Sequence, residues 1–346
     1  MKNRICYLTI VLFITITVFG QDSYFSQHYT APMYNNPANA GYYKGLKART
    51  HYHDQWRGVS NRIKTANISV EFSGRELPGG GGIGLIINSF PEFDGIMKSS
   101  VGIVASSRIR LSETWIAQFG VSGFFIQNNM DIDRDKFIWS KQLDNRHGLL
   151  YPDITVMDVK NYTHRYFDLN VGGLLGYESE FRAARIGFSV HHVTHPNVAF
   201  LDDNTVRLPL RYSLEGDFAF LSAKNIYGVV YHPSFLFEIQ GNIPSYNIGI
   251  NFAKSIFYAG VFYHQSSMAS SFKTITPDMG VVIPLNDKTQ RLKIGYSYEI
   301  PLQVAGDIGG VHEITLRYEY DALQLIRSWK LFPIGNPDLK KRLRFL

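Results

Sequence analysis

Apolar and polar residues alternate one by one along most of this chain. In 291–300, Leu292, Ile294, Tyr296, Tyr298 and Ile300 share one parity, and Arg291, Lys293, Gly295, Ser297 and Glu299 share the other. The pattern returns in 311–320, where Ile314, Leu316, Tyr318 and Tyr320 oppose Glu313, Thr315, Arg317 and Glu319. Similar runs occur around Ile68, Phe119, Leu169 and Leu214. Successive side chains of a strand point to opposite faces, so this period of two predicts half-buried β-strands. They fall near 46–56, 63–73, 82–90, 98–110, 114–126, 165–177, 182–192, 209–221, 225–239, 245–253, 255–264, 274–284, 291–300 and 311–320. That is about fourteen strands, each near the ~9–11 residues a tilted membrane-crossing strand needs.

The connections alternate in length. Those at 112–113, 178–181, 222–224 and 285–290 are tight. Those at 91–97, 193–208, 265–273 and 301–310 are longer, and the longest spans 127–164. The early glycine-rich connection and the short one at 241–244 depart from the rule. Short turns on one side and long loops on the other mark outer-membrane barrels, whose short turns are periplasmic. A secreted sandwich pair or propeller is the soluble alternative, but no repeat of fixed period is visible. The expected fold is therefore all-β: a transmembrane antiparallel β-barrel of about fourteen strands. Closure is obligatory there, because an unpaired backbone group in hydrocarbon costs several kcal/mol. The apolar parity, with Trp115, Phe125, Tyr296 and Tyr318, would face lipid. Arg291, Lys293, Glu299, Glu313, Arg317 and Glu319 would line the lumen.

Composition agrees. Aromatic residues are 14% and charged residues only 18% of 346 residues, with 30 glycines for turns and bends. Residues 1–20 read as a secretory signal peptide: Lys2 and Arg4, an apolar run from Ile5 to Phe19, then Gly20. A membrane helix is the competing reading of this run, which is short for a bilayer span. The lone cysteine, Cys6, lies inside it, so a mature chain would have no disulfide, thiol chemistry or thiolate-bound metal. Net charge is +6, or +4 without Lys2 and Arg4. No dense basic block precedes 340–344, so nucleic acid is not an expected partner.

Three stretches invite chemical readings. The glycine-rich run at 73–84 lacks the following helix and Lys-Ser/Thr pair that a phosphate loop requires, and reads as a mobile strand connection. His191, His192 and His195 suggest a metal site, but no acidic residue stands at supporting spacing, and neighbouring histidines on a strand face opposite ways. Ser189 and His191 share a face and make a minimal hydrolase pair for the outer barrel wall, without an obvious orienting group. No cofactor, metal or catalytic residue is expected.

After residue 20 the chain carries a set of spaced motifs. They begin at Gln21, Asp22, Phe25, Ser26 and Gln27. The Asn-Pro-Ala-x-Ala-Gly turn follows as Asn36, Pro37, Ala38, Ala40 and Gly41. Arg49 then leads into a Tyr-Arg-x-Gln-Trp-like strand represented by Tyr52, Gln55 and Trp56, with His53 where arginine is commoner. Gly187, His191, His192, Pro196 and Asn197 fit a Gly-x-x-x-His-His segment before Pro-Asn, and His312 and Glu313 fit the terminal strand. As a set these residues resemble the PorP/SprF family of type IX secretion proteins, and the resemblance implies a non-enzymatic outer-membrane component of type IX secretion and gliding machinery. It also implies partners: a secreted adhesin or its C-terminal domain, and periplasmic ring or peptidoglycan-binding proteins.

Four units are expected: the signal at 1–20, an N-terminal lead at 21–45, the barrel at 46–320 and a periplasmic tail at 321–346. The lead is too polar for lipid. It is expected either to plug the lumen or periplasmic mouth, or to serve only as a structural approach to the first strand. The tail, beyond the family's usual end, is either a partner-docking peptide or an extension without a role. The working surface would comprise loops 127–164 and 193–208, the lead and the tail. A solute-conducting porin is the alternative function.

Overall fold

The computed structural model describes residues 22–57, 63–74, 80–93, 95–130, 143–144, 148–149, 162–179, 182–200, 206–221, 228–267, 272–285, 290–302 and 309–320. The expected signal peptide and C-terminal tail lie outside these residues. Fourteen strands form one closed antiparallel barrel. They are β1 Leu46–Gln55, β2 Ile63–Ser73, β3 Gly80–Phe93, β4 Ile96–Arg110 and β5 Trp115–Met130. The wall continues with β6 Tyr162–Glu178, β7 Arg182–His191, β8 Arg211–Leu221, β9 Val230–Gln240 and β10 Ile243–Lys254. It ends with β11 Phe257–Ser266, β12 Phe272–Pro284, β13 Gln290–Pro301 and β14 Val311–Tyr320. Every strand pairs with its neighbour in sequence, and β14 closes on β1 from Leu46↔Tyr320 to Gln55↔Val311. A two-residue pairing, Leu143–Asp144 with Gly148–Leu149, stands apart from the wall.

The alternation read from the sequence is the inside–outside pattern of the wall. Ile103, Phe119, Phe167, Leu169 and Met279 are exposed on the outer face. Lys47, Arg49, Glu71, Gln118, Glu299 and Glu313 are buried on the inner one. Most boundaries shift by a residue or two, and three differences change the picture. The connection expected at 91–97 is almost all strand, because β3 and β4 run on to Phe93 and Ile96 across a register shift at Pro91. Likewise β5 and β6 pair out to Met130↔Tyr162, which shortens the longest connection to 131–161. The ninth strand begins at Val230, not 225. Pro91 and the polar run Gln127–Asn129 mask strand continuity in a sequence reading, since neither fits the apolar alternation.

Two rims result. The strand ends flanking 74–79, 111–114, 179–181, 222–229, 255–256 and 285–289 stand at the rim where β1 starts and β14 ends. The strand ends flanking the longest connections, 131–161 and 192–210, stand at the opposite rim. By the turn-length rule the first rim is periplasmic.

Candidate functional site

Residues 22–45 fill the inside of the barrel. Three short helical turns carry the path: His28–Thr30, Pro32–Asn35 and Pro37–Asn39. Pro32 and Pro37 sit at the first positions of their turns, where proline's fixed φ suits a helix start and its missing N–H costs nothing. The Asn36 side chain caps the third turn by accepting from Ala38 N at 2.9 Å. Gln27, Asn36, Ala38 and Ala40 are completely buried.

The segment runs from one rim to the other. Its start is held at the long-loop rim. The Asp22 carboxylate meets His192 Nε2 at 2.7 Å, Lys98 Nζ at 3.3 Å and Arg211 at 3.6 Å, and Asp22 N donates to Gln240. Burial favours the neutral acid, but His192, Lys98 and Arg211 outweigh it and hold the Asp22 carboxyl well below its ordinary range. Burial also opposes the charged form of His192. Asp22 and Asp168, the latter 2.8 Å from Nδ1, nevertheless raise its value above 6.5.

Further along the segment the wall meets it with carboxylates. Glu313 accepts from the backbone N–H groups of Ser26 at 2.8 Å and Gln27 at 3.2 Å, and its other close partner is His53 Nδ1 at 2.9 Å. Glu299 accepts from Ser26 Oγ and Tyr24 OH, both at 2.9 Å. Gln27 Nε2 donates to Ser297, and Tyr29 OH donates to Asp278. The bonds to the Glu313 and Glu299 carboxylates are of the charge-assisted kind that contributes most when water is excluded. Burial pushes the His28 imidazole down to about 3, against the opposing charge of Asp217. Burial likewise pushes the Tyr34 phenol up to about 12.

The Asn-Pro-Ala-Asn-Ala-Gly turn sits nearer the periplasmic rim, against strand backbone. Gly41 takes φ +62 and faces Gly82 so closely that a Cβ on Gly41 would lie 2.6 Å from Gly82 Cα. A Cβ at Gly120 would run into the backbone of Pro37 and Ala38. The glycines entering β3 thus form a contact surface for the turn, a role that the sequence reading did not assign to them. Asn39 donates to Glu215 at 2.6 Å and accepts from Arg185 at 2.7 Å. Ala40 O accepts from Ser106 and Gln118. Gly41 N donates to Glu71 at 2.8 Å, and Glu71 is itself gripped by Arg49 at 2.6 Å.

The structure therefore brings most of the sequence-selected residues into one assembly. Phe25 packs on His51, Tyr34 and Phe90. His191 Nε2 and Ser189 Oγ both converge on the Asn35 carbonyl, at 2.8 and 2.7 Å, inside the lumen rather than on the outer wall expected for a hydrolase pair. His192 does not face away from His191. The strand ends at His191, and His192 takes φ 62, which turns its ring inward between two aspartates. The acidic partners that sequence spacing did not offer come from 24 and 170 positions away. Among the described residues no group is arranged to hold a metal ion. Pro196 and Asn197 fold the following loop back, with Asn197 O 2.8 Å from His164 Nε2. Gln55 and Trp56 stand apart at the end of β1, and Trp56 turns the chain with φ 61. His312 is likewise separate, packed against Tyr298. Glu71, Gln118, Arg185, Glu215 and Asp168 are the partners that sequence reading missed as site residues. Their only signal was a polar side chain at a lumen-facing parity.

Comparison with curated proteins finds no match. Solved outer-membrane barrels resemble the chain in fold. A Pseudomonas aeruginosa FadL homologue is 10% identical, with a TM-score of 0.42, covering 84% of this chain and 94% of that one. A deltaS2S3 mutant of the TodX monoaromatic hydrocarbon channel is 10% identical with a TM-score of 0.50, over 84% and 94%. The translocator domain of the autotransporter NalP from Neisseria meningitidis is 10% identical with a TM-score of 0.37, over 80% and 88%. At such identity the TodX likeness speaks to the barrel fold alone. The family described as Type IX secretion system membrane protein PorP/SprF matches residues 17–318, nearly the whole barrel and its lumenal segment. The chain belongs to the PorP/SprF family of type IX secretion membrane proteins, and its closed wall makes it an outer-membrane β-barrel.

Proposed function

We propose that this protein is a sealed, non-enzymatic component of the type IX apparatus that assists export or surface anchoring of a secreted adhesin through protein contacts. The observation that carries this reading is the filled lumen. Residues 22–45 occupy it from rim to rim, and buried charge-assisted hydrogen bonds fasten them to the wall. A porin needs an aqueous path, and a segment held in this way opposes one. The lead is then not part of an outer working surface; the loops, rims and tail remain for partners. Ser189 and His191 act as struts for Asn35 O, which supports a structural role over a hydrolytic one.

The test is crosslinking in intact outer membranes followed by affinity recovery of the tagged chain. Recovery of a large secreted surface protein, or of periplasmic ring or peptidoglycan-binding proteins, is expected. Recovery of lipid and porins alone, with steady solute conductance of the purified protein, would contradict the proposal.

A further inference from the structure

Where the plug faces the wall, three basic residues stand abreast on adjacent strands. Lys293 pairs with Arg317, and Arg317 pairs with Arg49, in direct register. Like charges placed directly opposite one another destabilise a sheet unless something between them compensates. The next row, one step of the same face nearer the rim, reads Arg291, Glu319, Lys47 and Glu71 across the same strands and β2. Together these seven side chains comprise five basic and two acidic groups.

The two carboxylates are engaged. Glu319 lies 3.5 Å from Lys293 Nζ and 3.1 Å from Arg317 Nε. Glu71 serves Arg49 Nη2, Lys47 at 4.0 Å and the Gly41 N–H. Arg49 is 3% exposed, and its Nε and Nη1 are buried without an acceptor. A buried guanidinium nitrogen with no acceptor is costly. Beside it lies a small cavity that opens in part to solvent. Its lining includes Arg49, Lys293, Arg317, Thr315 and Tyr258 from the wall and Tyr29 from the plug.

We propose that this cavity is a binding site for a phosphate-class oxyanion, lodged between the plug and strands β1, β13 and β14. Several oxygens directed apart would meet the Arg49 N–H groups while the ion's charge offsets the Lys293–Arg317–Arg49 row. A single-centre ion such as chloride offers less of this geometry. Because Tyr29 forms part of the lining, a bound anion would also fasten the plug to the wall. The site is argued from charge and packing and does not rest on the secretion reading above.

The test uses the full chain purified in detergent free of phosphate and sulfate. Sodium phosphate is titrated against sodium chloride at matched ionic strength, with thermal unfolding and calorimetry as readouts. A saturable, phosphate-specific rise in Tm is expected. It should weaken by about tenfold in Lys293→Gln and in Arg317→Gln, the scale of one lost charge-assisted contact. It should persist in Arg110→Gln, a change on an exposed residue outside the cavity. A parallel titration with dihexanoyl phosphatidic acid distinguishes sources. Preference for the lipid identifies a headgroup site and preference for inorganic phosphate a soluble anion; both uphold an oxyanion site. No shift beyond that of chloride, or an equal shift in Lys293→Gln and the parent, would overturn it.

Discussion

Glu313 and Ser26 lie 287 positions apart in sequence, and the Glu313 carboxylate accepts the Ser26 backbone N–H at 2.8 Å. The same carboxylate serves Gln27 N and His53, so the last strand, the first strand and the lumenal segment meet at one buried acid. Removing it leaves two buried N–H groups without an acceptor. Glu313→Ala is expected to destabilise the folded protein by about 2–4 kcal/mol, and Glu313→Gln by less, since the amide oxygen still accepts. Unfolding in detergent measures this, and chymotryptic cleavage after Tyr29 or Tyr34 should quicken in step. Unchanged stability and protection in Glu313→Ala would show that the contact does not hold the segment.

A second expectation concerns backbone approach. Gly120 lies against the Pro37–Ala38 backbone, whereas a Cβ at Gly123, three residues along the same strand, would meet only Leu169 at 3.5 Å. Gly120→Val should leave the barrel assembled but lift the turn off the wall, with faster hydrogen exchange at Ala38 to Gly41. Gly123→Ala should leave exchange there unchanged. Equal behaviour of the two variants would show that close packing of the turn is unimportant.

The pH dependence has opposite signs at different residues. His192 has a folded value raised above 6.5, so its contribution is complete below 6.5 and fades as pH rises through the folded value. Asp22 is lowered below 3.8, so its contribution is complete above 3.8 and fades as pH falls through the folded value. His28 works the other way from His192. Its folded value is about 3 against 6.5, so the unfolded chain binds the extra proton and stability falls as pH drops through that window. One such group gives a slope of about 1.4 kcal/mol per pH unit at most. His28→Asn should flatten the acid limb between 3 and 6.5, and His192→Gln should flatten the fall above 6.5. Thermal unfolding of the three proteins across pH checks this; superimposable limbs would contradict it.

The wall was legible in the sequence because a strand half in lipid and half in a polar lumen must alternate. The parities of Leu292–Ile300 and Ile314–Tyr320 are therefore their faces in the barrel. The turn at Asn36–Gly41 was legible as a turn, because Asn, Pro and Gly have local backbone preferences. Its seat was not. Gly120, Glu71 and Glu215 are ordinary residues of alternating strands, and nothing local marks them as partners of residues far away in sequence. The His192 ring was misplaced for a related reason: strand parity assumes extended backbone, and one left-handed residue at the end of β7 reverses it. The continuity of β3 past Pro91 was hidden because proline reads as a strand ending even where a bulge accommodates it.

The central claim is that the chain's own N-terminal residues close its barrel, and ion conductance in planar bilayers tests it most directly. The full chain is expected to insert and remain electrically silent, while a variant lacking residues 22–45, shown to be folded by its β-sheet circular dichroism, is expected to give steady open currents. A full chain that conducts as freely as the deletion, or a folded deletion as silent as the full chain, would contradict it.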